Sequence, residues 1–473
     1  MAYSGSGAAR HVRISPRYGF IDRALASASF ALLLVLNIAL PGLRLAGAPI
    51  RGLLSVGVLA VVALFYSEEA QLALKKHALL LALAGLLALE GIIVSLANGA
   101  QVLGVLEAVT EVHLQAAITL MVAAILAQIC GARACVFIIV GVVAITAFVA
   151  MLQMVGLNAA WSLRSLLGRL QQEPAEALGF FDRQRPMGIS YSPIQLATQL
   201  CLALGAYTAL RDLERRRTHG STGADPAVIA AVIIFVIGCF ASATRAPILG
   251  GALFLAVYLT LRRGSWVPLL LFIGGGLLYL SWPLLMGVVQ SDAPRVARFD
   301  DNSTAARLVF TYYGSRLFLD NPLGYGLLFD PAQMWMPYWA DLYMMPAAQG
   351  AQEHDLHDYV LSMLNIYGIG LALFVPLVVK LLRAAGTSLL FFIPYGVQIM
   401  FHNAGPFYND TIVWFVIGAL SAAAAERAGM TAGLSWAPSA SFGARRLVAP
   451  ALRRPLTRFP PVVATSPTEL GPS

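Results

Sequence analysis

Charge is what this chain has least of. Asp, Glu, Lys and Arg make up 12% of its 473 residues, while 58% are hydrophobic; an average soluble domain carries about 25% charged residues. That scarcity excludes a soluble globular protein. The excess of basic over acidic residues, +8 in all, is divided among short stretches suited to anionic lipid headgroups, and no nucleic-acid partner is expected. Cysteine is equally sparse. Cys130, Cys135, Cys201 and Cys239 lie in or beside apolar runs without metal-ligand spacing, which argues against a disulfide framework and against zinc. No internal repeat is evident, and that weakens a transporter built from related halves.

What is present is a series of apolar runs close to the length that crosses a bilayer. Twelve candidate spans fall near 25–42, 52–66, 77–97, 103–129, 135–155, 193–210, 227–241, 246–261, 265–286, 358–379, 387–402 and 410–425. The fold class is therefore all-α: a polytopic membrane protein of about 12 transmembrane helices with one large periplasmic loop. The basic stretch from Met1 to Arg23 precedes an apolar run, as in a signal peptide, but no small-residue cleavage site follows and the run reads as a retained first helix. With the N-terminus inside, 21 of the 32 Lys and Arg residues lie on the inner side, so the expected topology is N-in and C-in. The resulting organisation is a cytoplasmic tail (1–24), helices 1–9 (25–286) with an outer loop at 156–192, a large outer loop (287–357), helices 10–12 (358–425), and a tail (426–473). The tail is rich in Pro, Ser, Ala and Arg and is expected to be disordered.

Chemistry concentrates between Asp300 and Gly370, a mostly polar stretch set between apolar runs. It opens with Asp300-Asp301-Asn302-Ser303-Thr304-Ala305-Ala306-Arg307, passes through Asn321-Pro322-Leu323-Gly324-Tyr325-Gly326 and closes with Glu353-His354-Asp355-Leu356-His357-Asp358-Tyr359. On the same outer side fall Arg185, just before the sixth span, and Arg245, in the tight Ser242-Ala243-Thr244-Arg245-Ala246-Pro247 connection. Guanidinium groups grip phosphate oxygens with a forked charge that does not titrate, whereas a histidine exchanges a proton near neutrality. Arg185, Arg245, Arg307 and His357 could therefore hold a diphosphate and supply a general base. A helix N-terminus at His357 would favour the neutral, basic ring.

Each residue has a plainer reading. Arg185 and Arg307 read equally as solvated loop residues. Arg245 makes the stronger case, because a charge between two apolar helices is costly. His354 and His357 could be surface histidines, and a metal site joining them to Asp355 or Asp358 lacks a known motif. Glu107, Glu111 and His113 lie at the outer end of the fourth span, where they line a site or, as the favoured reading, pair with an arginine. Glu90 is deeper and reads as hydrogen-bonded to a neighbouring helix. His402, Asn403, Asn409 and Asp410 read as a solvated turn. Asn321 to Gly326 read as turns whose exposed amides suit phosphate but also ordinary loops.

Taken together, these residues resemble the O-antigen ligase and polymerase family, polytopic glycosyltransferases of bacterial envelope polysaccharides. Arg185-Pro186-Met187-Gly188 is similar to its Arg-x-x-Gly stretch, and Ser242-Ala243-Thr244-Arg245 to its Ser-Arg or Thr-Arg turn. Arg307 with Pro322-Leu323-Gly324-Tyr325-Gly326 resembles the arginine and Pro-Leu-x-Gly-x-Gly of its large loop. His357-Asp358-Tyr359-Val360-Leu361, followed by Gly368 and Gly370, resembles its His-Asn-x-Tyr-Leu…Gly pattern, with Asp358 where the family has Asn or a similar polar residue. The likeness covers roughly residues 180–370. It implies glycan transfer from an undecaprenyl-diphosphate-linked donor to an acceptor hydroxyl, on lipid A-core or on a growing glycan, at the bacterial inner membrane. It implies neither metal nor cofactor, and other polysaccharide-assembly proteins as partners. His357 would be the base and Arg185, Arg245 and Arg307 would hold the diphosphate, with Asp358, Tyr359, His354 and Glu111 in support. A lipid-linked glycan transporter is the rival reading.

Overall fold

Where the chain runs through hydrocarbon, its backbone groups must be satisfied internally, and helices do so within one segment. The computed structural model describes residues 18–45, 48–171, 185–215, 224–286, 302–345, 348, 356, 358–373, 376, 379–380, 382–383, 385–401 and 411–435. The first five helices are α1 (Phe20–Ala39), α2 (Ile50–Phe65), α3 (Ser67–Ala97), α4 (Val102–Cys130) and α5 (Ala132–Met154). A π turn, Thr110–Leu114, interrupts α4. There follow α6 (Asn158–Gln171), α7 (Pro193–Arg215), α8 (Pro226–Ala241), α9 (Ala246–Arg263) and α10 (Val267–Met286). The last are α11 (Asn302–Asp320), α12 (Tyr359–Tyr367), α13 (Ile393–Phe401) and α14 (Thr411–Ser435). A hairpin of two-residue strands, Arg44–Leu45 and Ala48–Pro49, is the single sheet described.

Each of the twelve candidate stretches contains a helix, and α1, α3, α4, α5 and α9 are long and apolar enough to cross a membrane. Because lipid is as apolar as leucine, helices in a bilayer gain from close backbone approach rather than from the hydrophobic effect. Small residues mark those contacts. A Cβ on Gly250 would lie 2.8 Å from Pro394 of α13, and one on Gly418 would lie 2.7 Å from Ala123 of α4. Gly238 of α8 fits against Leu200 of α7 and Ala147 of α5.

That last contact orients the bundle. Gly238 is a turn from the end of α8, Leu200 two turns from the start of α7, and Ala147 two turns from the end of α5. The end of α5, the start of α7 and the Ser242–Arg245 turn therefore share one face. At the opposite face Asp225 caps α8, accepting from Ala227 N at 3.0 Å and pairing with Arg211 at 3.2 Å. Tyr258 Oη, on α9, accepts from Asp225 N, and Arg262 pairs with Asp212.

Four features differ from the sequence reading. α3 starts at Ser67 rather than near 77, so Glu68, Glu69, Lys75 and Lys76 are helical; charged residues end a hydropathy run without ending a helix. The 156–192 loop contains α6, and the 287–357 loop contains the nineteen-residue α11. α11 has its own small core, in which Val309, Phe310, Tyr313 and Leu317 pack with Trp335, Leu342 and Leu356. Finally, α14 continues past 426 to Ser435. The rest of the C-terminal tail and the His402–Asp410 turn lie outside the described residues.

Candidate functional site

Arg185 begins a loop held by three buried polar side chains. Gln153 of α5 accepts from Met187 N (2.9 Å) and Gly188 N (2.8 Å), and donates to Ala160 O and Gly188 O. Arg164 of α6 donates to Ser190 O (2.9 Å) and Tyr191 O (3.1 Å), while Ser190 Oγ donates to Gln199 of α7. Gly188 has φ +63° and lies so close to Thr146 O that a Cβ would meet it at 2.1 Å. Arg-x-x-Gly thus needs its glycine for backbone contact. Beside Arg185, a cavity of about 240 Å³ is lined by Gln153, Met154, Gly156, Asn158, Trp161 and Pro186.

Arg245 is half-buried at the N-terminus of α9, after a turn in which Ala243 adopts φ +53°. The hydroxyls of Ser242 and Thr244, 2.5 Å apart and buried, hold that left-handed turn together. A non-glycine residue there costs roughly 1–2 kcal/mol, so the local sequence holds Arg245 in place against a conformational penalty.

α11 and α12 run parallel. Gly314 packs against Leu361 and its carbonyl accepts from Asn365 Nδ2 (2.9 Å), while eight residues on Pro322 O accepts from Ile369 N (2.8 Å). Arg307, two turns before Gly314 and half-buried, therefore stands at the end of the pair where α12 begins. That start is capped by Asp358, whose carboxylate accepts from Leu361 N at 3.0 Å. The carboxylate acts as an acceptor, a role that Asn fills equally well, so the departure from the family pattern leaves the local geometry intact. His357, the residue immediately before the cap, and His354 both lie outside the described residues. The helix itself opens at Tyr359 and not at His357.

The Asn321–Gly326 turn offers no anion nest. Gly324 N donates to Asn321 O, Tyr325 N to Asn365 O (2.7 Å), Gly326 N to Ile366 O (3.0 Å) and Leu327 N to Ser95 Oγ (2.7 Å). The first bond closes the turn, and the other three amides are spent on a clasp that ties α11 to α12 and to the tip of α3. Gly324 (φ +88°), Gly326 (φ +89°) and Gly368 (φ +55°) are required by it, since a Cβ at each would lie within 2.6 Å of backbone or of Ser95. Gly370 has a different neighbour: a Cβ there would lie 2.6 Å from the Glu90 carboxylate. Glu90 Oε2 is buried without a hydrogen-bond partner among the described residues.

Of the remaining candidates, Glu111 pairs with Arg44 at 3.1 Å, Tyr359 is buried in the main core, and His113 Nε2 bonds Tyr367 Oη at 2.8 Å. Sequence reasoning missed Gln153 and Arg164, which hold the Arg185 loop; a glutamine at the end of an apolar run is the signal that could have found one of them. In the small core around α11, burial pushes the phenols of Tyr313 and Tyr338 above their ordinary range, and they donate to Pro331 O and Asp320.

These parts share a face. α3, α4 and α5 follow one another through short connections, so the tip of α3 lies with the end of α5, and hence with Arg185 and Arg245. Tyr367 packs on Gly91, and Gly370 on Glu90, so α12 runs antiparallel to α3. Asp358, nine residues before Tyr367, then lies ~13 Å further along the axis, near or just beyond the tip of α3. Three half-buried arginines and the start of α12 thus occupy one end of the bundle. A comparison with curated proteins finds no match. Residues 230–375, which hold Arg245, Arg307, Asp358 and the glycines of the clasp, match the family described as O-Antigen ligase.

Proposed function

We propose that this protein transfers a glycan from undecaprenyl diphosphate to an acceptor hydroxyl at the periplasmic face of the bacterial inner membrane. The observation that supports this reading is that Arg185, Arg245 and Arg307 lie at the same end of the bundle as the start of α12, which directly follows His357 and Asp358 in sequence. In the proposed step His357 takes the proton of the acceptor hydroxyl. The freed oxygen attacks the anomeric carbon as its bond to the diphosphate breaks. Undecaprenyl diphosphate departs, its developing charge held by the three guanidinium groups. The donor's polyprenyl chain can remain in lipid while its diphosphate sits at the surface.

The test is transfer in proteoliposomes from a purified lipid-linked repeat, with His357→Ala and His354→Ala compared at equal abundance. Removing a general base costs about 10²–10⁴-fold in rate, and His354→Ala should stay near wild type. Loss of transfer in His354→Ala with His357→Ala fully active would overturn the assignment. The acceptor is read in the same assay: a ladder formed without lipid A-core identifies a polymerase, and product formed only with lipid A-core identifies a ligase.

A further inference from the structure

We propose that α6 is an interfacial helix, seated in the lipid leaflet that borders the candidate site, with its leucines among the acyl chains. Its burial pattern divides the helix into three stripes. Ala160, Arg164, Gly168 and Gln171 are buried against the protein, so the hidden face pairs two small residues with two polar ones and holds no large apolar side chain. The outward surface is then split in two. Leu163, Leu166 and Leu170 form one stripe, exposed by 41%, 55% and 54%. Asn158, Ser162, Ser165 and Arg169 form the other, at i, i+4, i+7 and i+11. A helix wholly in water has no use for the leucine stripe, and one wholly in lipid would leave the second stripe unsatisfied. The boundary between the two phases suits both.

Connectivity places the helix at that boundary independently of its pattern. α5 has 23 residues and reaches ~35 Å, enough to cross the hydrocarbon core of about 30 Å. The connection to α6, Val155–Leu157, spans at most ~10 Å, and Trp161 Nε1 donates back to Gln153 O at 3.1 Å. The far end is tied as well. Gln171 Nε2 donates to Ala39 O, the last residue of α1, and Gln171 Oε1 accepts from Gly42 N, both at 2.9 Å. α6 has 14 residues and is ~21 Å long, too short to join opposite membrane faces. It must run along one face, from the end of one span to the end of another. Met154, Val155 and Leu157 continue the exposed apolar surface at its start. From Val155 to Gln171 there is no acidic residue, and Arg169 is exposed, a combination suited to anionic headgroups.

The inference is tested on the full chain, with the four native cysteines replaced and a single cysteine introduced at Leu163, Leu166, Leu170 or Ser162. Each variant carries an environment-sensitive fluorophore and is reconstituted into phosphatidylethanolamine–phosphatidylglycerol vesicles. Lipids with a nitroxide on the acyl chain should quench the probe at Leu163→Cys, Leu166→Cys and Leu170→Cys, with iodide in the buffer largely excluded. At Ser162→Cys the order should reverse, which also reports that the helix is folded in the labelled protein. Iodide quenching at all four positions, or acyl-chain quenching at all four, overturns the proposal. So does cross-linking between copies at Leu166→Cys with no acyl-chain quenching, which would make the stripe a self-association surface. No outcome depends on the transfer reaction.

Discussion

The cap on α12 permits a graded test of how the candidate base is supported. Asp358 Oδ1 accepts from Leu361 N at 3.0 Å, and Asp358 O accepts from Ser362 N and Ser362 Oγ, both at 2.9 Å. Asp358→Ala removes the side-chain acceptor and keeps the backbone bonds. Loss of an N-cap costs about 1 kcal/mol, within 0.5–2, which at ~1.4 kcal/mol per tenfold shifts the first turn about fivefold toward a frayed state. Asp358→Asn keeps an acceptor oxygen and loses the favourable charge at the helix start, about 0.3–1 kcal/mol. Transfer in proteoliposomes should therefore fall about two- to fivefold for Asp358→Asn, about fivefold or more for Asp358→Ala and about 10²–10⁴-fold for His357→Ala. Rates are compared on protein that elutes as a single monodisperse peak, so that fraying is separated from unfolding. Asp358→Asn as inactive as His357→Ala would refute the reasoning, because the carboxylate's charge would then be needed in the reaction itself.

The other predictions concern different parts of the molecule. Arg245→Lys should keep part of the transfer rate and Arg245→Ala very little, because an ammonium cannot reproduce a bidentate grip; full activity in a stably folded Arg245→Ala protein would reduce the residue to a loop charge. Gly368→Ala should lower thermal stability and protease resistance, at a cost of at least ~1–3 kcal/mol for a strained backbone, since its Cβ would meet Pro322 O at 2.2 Å; an unchanged melting temperature would mean that the clasp is not closed in the membrane. Reporter fusions after residue 218 and near residue 335 should report cytoplasm and periplasm respectively, and both on one side would break the topology on which the periplasmic assignment rests.

Hydropathy located helices, since each of the twelve apolar stretches contains one and five of them are long and apolar enough to cross a membrane. It failed where helix and hydropathy part. The first turns of α3, with Glu68, Glu69, Lys75 and Lys76, are good helix formers and poor lipid solutes. α6 buries Arg164 and Gln171 and shows its leucines outward, so its polar residues looked like loop. α11 carries readable spacing in Val309, Phe310, Tyr313 and Leu317, but the acidic stretch before it masked the pattern. At the candidate site, residue types and order were legible, and their distribution along the chain already pointed to one face. The purpose of the glycines was not, because it depends on neighbours distant in sequence: Thr146 for Gly188, Ser95 for Gly326 and Glu90 for Gly370. Asp358 as a cap could have been found, since an acidic residue directly before an apolar run is a helix-start signal.

The clasp between residues 321–327, the end of α12 and the tip of α3 has a consequence for exchanging parts between relatives. The segment from α11 to the clasp is bonded through its main chain to Asn365 and Ile366, and through Leu327 N to Ser95. Leu327 also fills the space left by Gly91, where an added Cβ would lie 2.8 Å away. A graft that moves the segment from α11 to the clasp alone would carry half of a joint and leave the other half behind. Grafts that transfer residues 302–370 together with the matching tip of α3, near 91–98, keep the joint whole, and what the exchanged segment changes can then be read without the confounding effect of a broken seam.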